Sequence, residues 1–200
     1  QQMAGDFGHL GAPGEPELPG RVFFVALPPG AQVTGVRFET PDAVTLAGRY
    51  QIAPVAPAAS GPGDEGAEAR WEANRARAYA GDGLYPGQVG EYLGQSRWRR
   101  YTIARVAFQP FTYRPQSGTL RFHPALSVTF EYRLAAPDSP AQREFRRLRN
   151  DRVLDDLIAP ELVNFDRARA WYDGPGAASE VAVNSLYDYV IVVENETMAA

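Results

Sequence analysis

From Leu126 to Leu134 apolar and polar side chains alternate without a break. Leu126, Val128, Phe130, Tyr132 and Leu134 fall on one side, and Ser127, Thr129, Glu131 and Arg133 on the other. That period of two predicts a half-buried antiparallel strand within Leu120–Leu134, with His123-Pro124 as a kink. Ala43–Ile52 carries the same pattern, with Val44, Leu46, Tyr50 and Ile52 on the apolar side. Arg21–Leu27 (RVFFVAL) is apolar on both faces, as suits a central strand covered on both sides. Val33–Phe38, Gln88–Leu93 and Arg99–Phe108 read as further strands, separated by turns such as Pro28-Pro29-Gly30 and Tyr113–Gly118. Short strands without alternating helices predict a mainly β protein, an antiparallel β-sandwich of Ig-like or jelly-roll-like type.

Three stretches depart from this rhythm. Residues 1–20 are rich in Gly and Pro and read as a mobile or loosely docked arm, flexible over 1–15. Residues 53–83 are Ala, Gly, Pro and charge, a long excursion between strands in which Glu68–Ala78 can coil into a short helix. After Asp138, the capping signature Ser139-Pro140-Ala141-Gln142 opens a helix expected over Ala141–Ile158. Leu154, Leu157 and Ile158 form its expected apolar stripe, five Arg between 143 and 152 decorate the other side, and Ala159-Pro160 ends it. Asp173–Gly176 reads as a linker. Tyr187–Val193 is then a run apolar enough on both faces for an interior strand of a parallel α/β sheet, not an edge strand of the sandwich. Thr197 is placed to cap a following helix. The expected domains are the arm (1–15), a sandwich (16–136), a helical connector and linker (137–178) and the start of an α/β domain (179–200).

Composition sharpens this picture. Gly 19 and Pro 17 together make 36 of 200 residues, well above the typical share of about 12%, which favours turn-rich β structure. All 20 basic residues are Arg, read as compositional bias, because Arg and Lys differ chiefly at buried or bidentate sites. A net charge of −4 provides no field for nucleic acid or an anionic membrane, and no apolar stretch reaches a membrane span. The absence of cysteine removes thiolate chemistry and disulfides from this chain. His9 and His123 lie far apart, and Asp155-Asp156 are adjacent on a helix and face different ways. No catalytic constellation, metal site or cofactor motif is expected. Arg97–Tyr101 mixes charge with aromatics in the manner of single-strand nucleic-acid binders, although Arg stems covering apolar neighbours explain it as well. Trp71 and Trp98 suggest a stacking platform, which would make the chain an extracellular adhesion or carbohydrate-binding module. Asn195-Glu196-Thr197 matches a glycosylation sequon.

A succession of short motifs carries a resemblance. In order, these are Gly14-Glu15-Pro16-Glu17-Leu18-Pro19, the strand ending Ile52-Ala53-Pro54, Tyr79 with Leu84-Tyr85-Pro86-Gly87, and Val106–Pro110 with Tyr113-Arg114-Pro115. Gly118–Arg121 and Leu162-Val163-Asn164-Phe165 follow. This succession resembles the pro-regions of gingipain-type cysteine peptidases, and Tyr187–Val193 resembles the first strand of their caspase-like peptidase domain. Gln88 stands where an acid is usual in the family. The resemblance implies a secreted or cell-surface zymogen segment whose signal peptide is removed. It implies a β-sandwich pro-domain that keeps a cognate peptidase domain latent in cis and assists its folding, with no catalytic residue of its own. It further implies that an Arg of the 53–83 excursion occupies the specificity pocket (Arg70 first, then Arg75 and Arg77), and that processing follows Arg169 or Arg167, with the 143–152 Arg cluster as an alternative.

Overall fold

The computed structural model describes residues 7–57 and 66–173, together with the backbone of Tyr187–Val192. Its centre is an antiparallel pair, β2 (Pro19–Leu27) and β6 (Tyr101–Phe108), in register from Arg21↔Phe108 to Leu27↔Thr102. β1 (Gly8–His9) adds to the free side of β2 and β5 (Gly90–Trp98) to that of β6, giving the order β1-β2-β6-β5. A second sheet, β10-β9-β3, combines β3 (Ala31–Glu39), β9 (Ala125–Leu134) and β10 (Tyr187–Val192). A third, smaller one combines β4 (Val44–Thr45), β8 (Thr119–Phe122) and β7 (Phe111–Arg114).

Alternation along β2 decides the layering. Phe23, Val25 and Leu27 pack with Ala104, Val106 and Phe108 of β6 against Leu126, Val128, Phe130 and Tyr132 of β9. This is the sandwich core. Ala26 and the partly buried Phe24 point the other way, with Tyr101 and Ile103, and meet Phe145, Ile158, Leu162, Ala168 and Tyr172 of the connector. Apolarity on both faces of RVFFVAL therefore reflects a sheet clad by a second sheet on one side and by helices on the other. A satellite cluster around Leu18, Tyr113 and Leu120 lies under the small sheet.

Several expectations hold and several change. β9 alternates as its sequence requires, and His123-Pro124 separates it from β8. The Ala43–Ile52 strand shortens to β4, because Gly48 takes φ +105° and turns the chain. Leu46 and Tyr50 still bond the β8 strand and its turn, but Val44 remains 54% exposed. β5 runs beyond Leu93 to Trp98, past an irregularity between Tyr92 and Gln95 where Gly94 takes φ +96°. The arm is docked from its first described residues: Phe7 packs on Phe23, Gly8 and His9 pair with β2, Gly14 N bonds Val55 O, Val55 N bonds Glu15 O and Glu17 N bonds Ala53 O, with Leu18 buried.

The connector helix divides. α2 (Pro140–Leu148) starts as expected, with Ser139 accepting from Gln142 N at 3.2 Å. The chain then turns through 149–154 before α3 (Asp155–Ile158) and α4 (Phe165–Asp173). Of the expected stripe Ile158 is buried and Leu154 partly so, but Leu157 is 69% exposed, and Gln142 and Phe145 are buried as well. The break places the Arg149 carbonyl and the Asp155 carboxylate on Arg100, an arrangement one straight helix does not provide.

β10 corrects a further expectation. Its backbone pairs antiparallel with β9 from Tyr187↔Phe130 to Val192↔Ala125, as an edge strand of the sandwich sheet. The free side of β9 presents unpaired N–H and C=O groups, and this strand takes them up. The 179–186 part of the expected α/β start, Val193, the Thr197 cap and the Asn195 sequon lie outside the described residues.

Asn164 fastens the connector to the sheet. Its Oδ1 accepts from Ala26 N at 2.8 Å and its Nδ2 donates to Ala26 O at 2.9 Å, so a buried side-chain amide continues the hydrogen bonding of β2. Replacing Asn164 by Ala leaves both Ala26 groups buried and unpaired. The expected loss is about 2–4 kcal/mol of unfolding free energy, read from urea denaturation of the variant and the parent chain.

Candidate functional site

Two regions carry the residues that the sequence singles out. The first is α1 (Ala67–Tyr79), which buries no residue of its own and rides on the protein surface. Three side chains anchor it: Trp71 Nε1 donates to Val55 O (2.8 Å), Asn74 Nδ2 to Pro13 O (3.0 Å) and Tyr79 OH to Ile52 O (2.8 Å). Burial pushes the Tyr79 hydroxyl up to about 12, so it remains a donor across the physiological range. Beneath the helix, Glu15 accepts from Tyr85 OH and Ala12 N, each at 2.9 Å, and lies 3.6 Å from Arg77. Burial, and then the bond to Glu15, raise the Tyr85 hydroxyl above its ordinary value.

Arg70, Arg75 and Arg77 are all exposed on α1. Arg75 lies over the Trp71 ring at 5.5 Å, and Arg77 donates to Asn74 Oδ1 at 3.0 Å besides approaching Glu15. Of these contacts, the approach of Arg77 to Glu15 reaches outside the helix. Arg70 stands in the first turn, its amide bonded to Gly66 O.

The second region joins the β5–β6 hairpin to the connector. Trp98 pairs with Tyr101 across a two-residue turn in which Arg99 takes φ +50°. Arg100 beside it is 1% exposed. Its guanidinium donates to Asp155 Oδ2 (2.5 Å), Asp173 Oδ1 (2.8 Å), Tyr101 OH (2.9 Å) and Arg149 O (3.1 Å). Arg152 (3.1 Å) and Arg169 (3.1 Å) also reach Asp173. Tyr172 OH accepts from Thr102 N at 2.8 Å and donates to Leu27 O at 2.7 Å. Burial alone would raise the Asp173 carboxyl, but hydrogen bonds from Arg100 and Arg169 and the charges of Arg100 and Arg152 outweigh it and hold the group below the ordinary carboxylate value.

The two processing candidates, Arg167 and Arg169, both lie within α4, exposed on its outer side, while Ala168 and Tyr172 are buried on the inner one. The structure keeps them well apart from α1 in the fold: one group rides over the 12–18 and 52–55 pairing, the other over the β2–β6 sheet. Arg97–Tyr101 forms no cationic stripe, because Arg97 turns back to Arg99 O, Arg99 binds Asp151 and Arg100 is buried. Trp71 and Trp98 make no joint platform; Trp98 stacks on Phe24 at 4.6 Å. His9 is exposed, 3.5 Å from Glu17. His123 lines an open cleft of about 570 Å³ with Arg37, Arg121 and Thr112. Its ring is shifted toward the neutral form by burial and then by Arg121.

Sequence reasoning missed Arg100, Asp173 and Tyr172. Arg100 sat inside a motif whose charge suggested exposure, and only the hairpin turn reverses its direction. A chain of the complex of pro- and mature domains of RgpB from Porphyromonas gingivalis is similar to this one over 80% of this chain and 77% of that one, with a TM-score of 0.50 and 15% identity. The fold is like that of a gingipain-type pro-region. Gingipain K from the same organism, in a structure addressing its zymogenic latency, is similar over 63% of this chain and 70% of that one, with a TM-score of 0.41 and 20% identity. No family model matches the chain, and no curated protein matches it. Among the described residues, no helix is long and apolar enough to cross a membrane.

Two outcomes test this geometry. Gly14 takes φ +92°, and a Cβ there would stand 2.4 Å from Trp71 O. Gly14→Ala is expected to cost about 1–3 kcal/mol and to loosen α1, seen as faster amide exchange over 67–79. The Asp173 carboxyl has a lower pKa folded than unfolded, so its stabilisation is complete above the unfolded value of about 3.9 and is lost as pH falls through the folded value. Stability of Asp173→Asn measured across the acid range should lack that increment.

Proposed function

We propose that this chain is the pro-region of a gingipain-type cysteine peptidase and holds the peptidase domain latent in cis. The observation that carries the reading is the shared fold with a chain of the RgpB pro- and mature-domain complex over 80% of this chain. The ordered motifs from Gly14 to Phe165 support it, and the lack of any cysteine suits a segment that restrains catalysis rather than performing it. In this reading the precursor is secreted, residues 179–200 open the peptidase domain once Tyr187–Val192 leaves β9, and cleavage after Arg169 or Arg167, once α4 unwinds, separates the two parts.

Latency then follows from α1. The helix stands out from the body, is anchored along its length and presents three guanidinium groups to an approaching partner. A specificity pocket that carries an acid pairs with guanidinium in a charge-assisted, bidentate contact. Arg70 is the preferred occupant, because it stands exposed in the first turn beside Trp71, which anchors the helix. A peptidase cuts an extended backbone, whereas Arg70 is held in a hydrogen-bonded helical turn. The pocket is filled and the neighbouring peptide bond is withheld, so binding is not followed by turnover.

The test is inhibition in trans. The intact chain, added to its cognate peptidase domain, is expected to inhibit it, and Arg70→Ala should weaken inhibition by about tenfold or more, the loss of one charged hydrogen-bonded contact. Inhibition that survives replacement of all three α1 arginines by Ala would sink the plug mechanism, and absence of any inhibition would sink the pro-region reading.

A further inference from the structure

We infer that the first bond of this chain open to an arginine-specific endopeptidase is Arg152–Val153, in the turn between α2 and α3, and that cutting it leaves the connector docked on the sandwich. Endopeptidases bind several substrate residues in extended form, so cleavage selects exposed segments free of regular structure. Arg167 and Arg169 fail that requirement. Both lie inside α4; the bond after Arg167 leads into fully buried Ala168, and Arg169 is tied to Asp173 at 3.1 Å. To present either bond, α4 must unwind and Tyr172 must leave Thr102 and Leu27.

The turn at 149–154 differs in each respect. Asp151 and Arg152 belong to no helix or strand, the Arg152 side chain is 55% exposed and Val153 is 76% exposed. Local order rests on few bonds: Asp151 N to Leu148 O, Asp155 N to Arg152 O, and Val153 N to Asp151 Oδ1 at 3.3 Å. Arg152 reaches Asp173 at 3.1 Å, but Asp173 keeps Arg100 and Arg169 when Arg152 is withdrawn. Other exposed arginines are held in ordered backbone: Arg37, Arg97, Arg105 and Arg133 in strands, Arg70, Arg75 and Arg77 in α1, Arg143, Arg146 and Arg147 in α2, and Arg49 beside Tyr50, whose amide bonds Gly118 O. Arg99 stands in a tight hairpin turn before buried Arg100, and the half-buried Arg149 gives its carbonyl to Arg100.

Hydrolysis adds water across the bond, so Arg152 ends in a carboxylate and Val153 begins with an amine. The fragment from 153 onward keeps Asn164 on Ala26, Tyr172 on Thr102 and Leu27, and Asp155 and Asp173 on Arg100. Burial of Ile158, Leu162, Ala168 and Tyr172 against the sheet is also unchanged by the cut. The nicked molecule therefore stays a two-chain complex. The natural cutter rests on the pro-region reading; the position of the cut rests on the connector geometry alone.

Timed digestion of the intact chain with trypsin, followed by mass measurement, tests this directly, because every tryptic site here is an arginine. The expected first products are 1–152 and 153–200, co-eluting on native size exclusion and separating in denaturant. Arg152→Gln should abolish that product pair. Asp173→Asn should let the nicked fragments separate under native conditions. A first cut after Arg167, Arg169 or any arginine other than Arg152, or native separation of the parent fragments, overturns the inference. Neither result bears on inhibition of a peptidase, so failure here is distinguishable from failure of the proposed function.

Discussion

The architecture depends on the pairing of β2 with β6. These two strands are buried on both faces, and each face has a different occupant: β9 with β3 on one side, the connector on the other. Because side chains alternate along a strand, Phe23, Val25 and Leu27 can serve the sandwich while Phe24 and Ala26 serve the helices. A one-residue slip of β2 on β6 would exchange these sets and spoil both layers. The register thus couples the sandwich to the segment leading out of it.

That coupling is reinforced by polar groups placed where apolar packing is not specific. Asn164 pairs with the backbone of Ala26, Tyr172 bridges Thr102 and Leu27, and Arg100 gathers Asp155, Asp173 and the Arg149 carbonyl. A buried guanidinium is costly unless its donors are met, and here two carboxylates, a hydroxyl and a carbonyl meet the two terminal nitrogens, while Nε has no partner. The network makes the connector an integral layer and not a tether. By contrast α1 buries no residue fully and is held by Trp71, Asn74 and Tyr79, the last packing against the satellite cluster around Leu18.

The strands were legible where periodicity was unbroken and local. β9, β2 and β3 match their patterns, the α1 segment coils where its composition allows, and Ser139 caps α2 as its motif requires. Reading failed where one residue's backbone overrode its neighbours. Gly48 cut the Ala43–Ile52 strand short, and Gly94 let β5 continue past Leu93 through an irregularity. It failed again where a helix answered to a distant partner: no local pattern in 141–158 says that Arg149 and Asp155 must both reach Arg100. The site residues divide in the same way. Arg70, Arg75 and Arg77 are exposed, as a polar excursion suggests, but the contacts of Arg75 with Trp71 and of Arg77 with Asn74 and Glu15 arise only in the fold.

The sequence alone determined the β class, the alternating core of β9, the double-faced burial of β2 and the absence of thiol chemistry, because each follows from the spacing or identity of residues near one another. Tertiary structure decided what covers each face of β2, where the connector breaks, and that Arg100 lies inside while Arg70 lies outside. It also decided that Tyr187–Val192 lies along β9 as an edge strand. A two-sided apolar run states only that it needs partners; which backbone supplies them is set by the sheet edge that the rest of the fold leaves open.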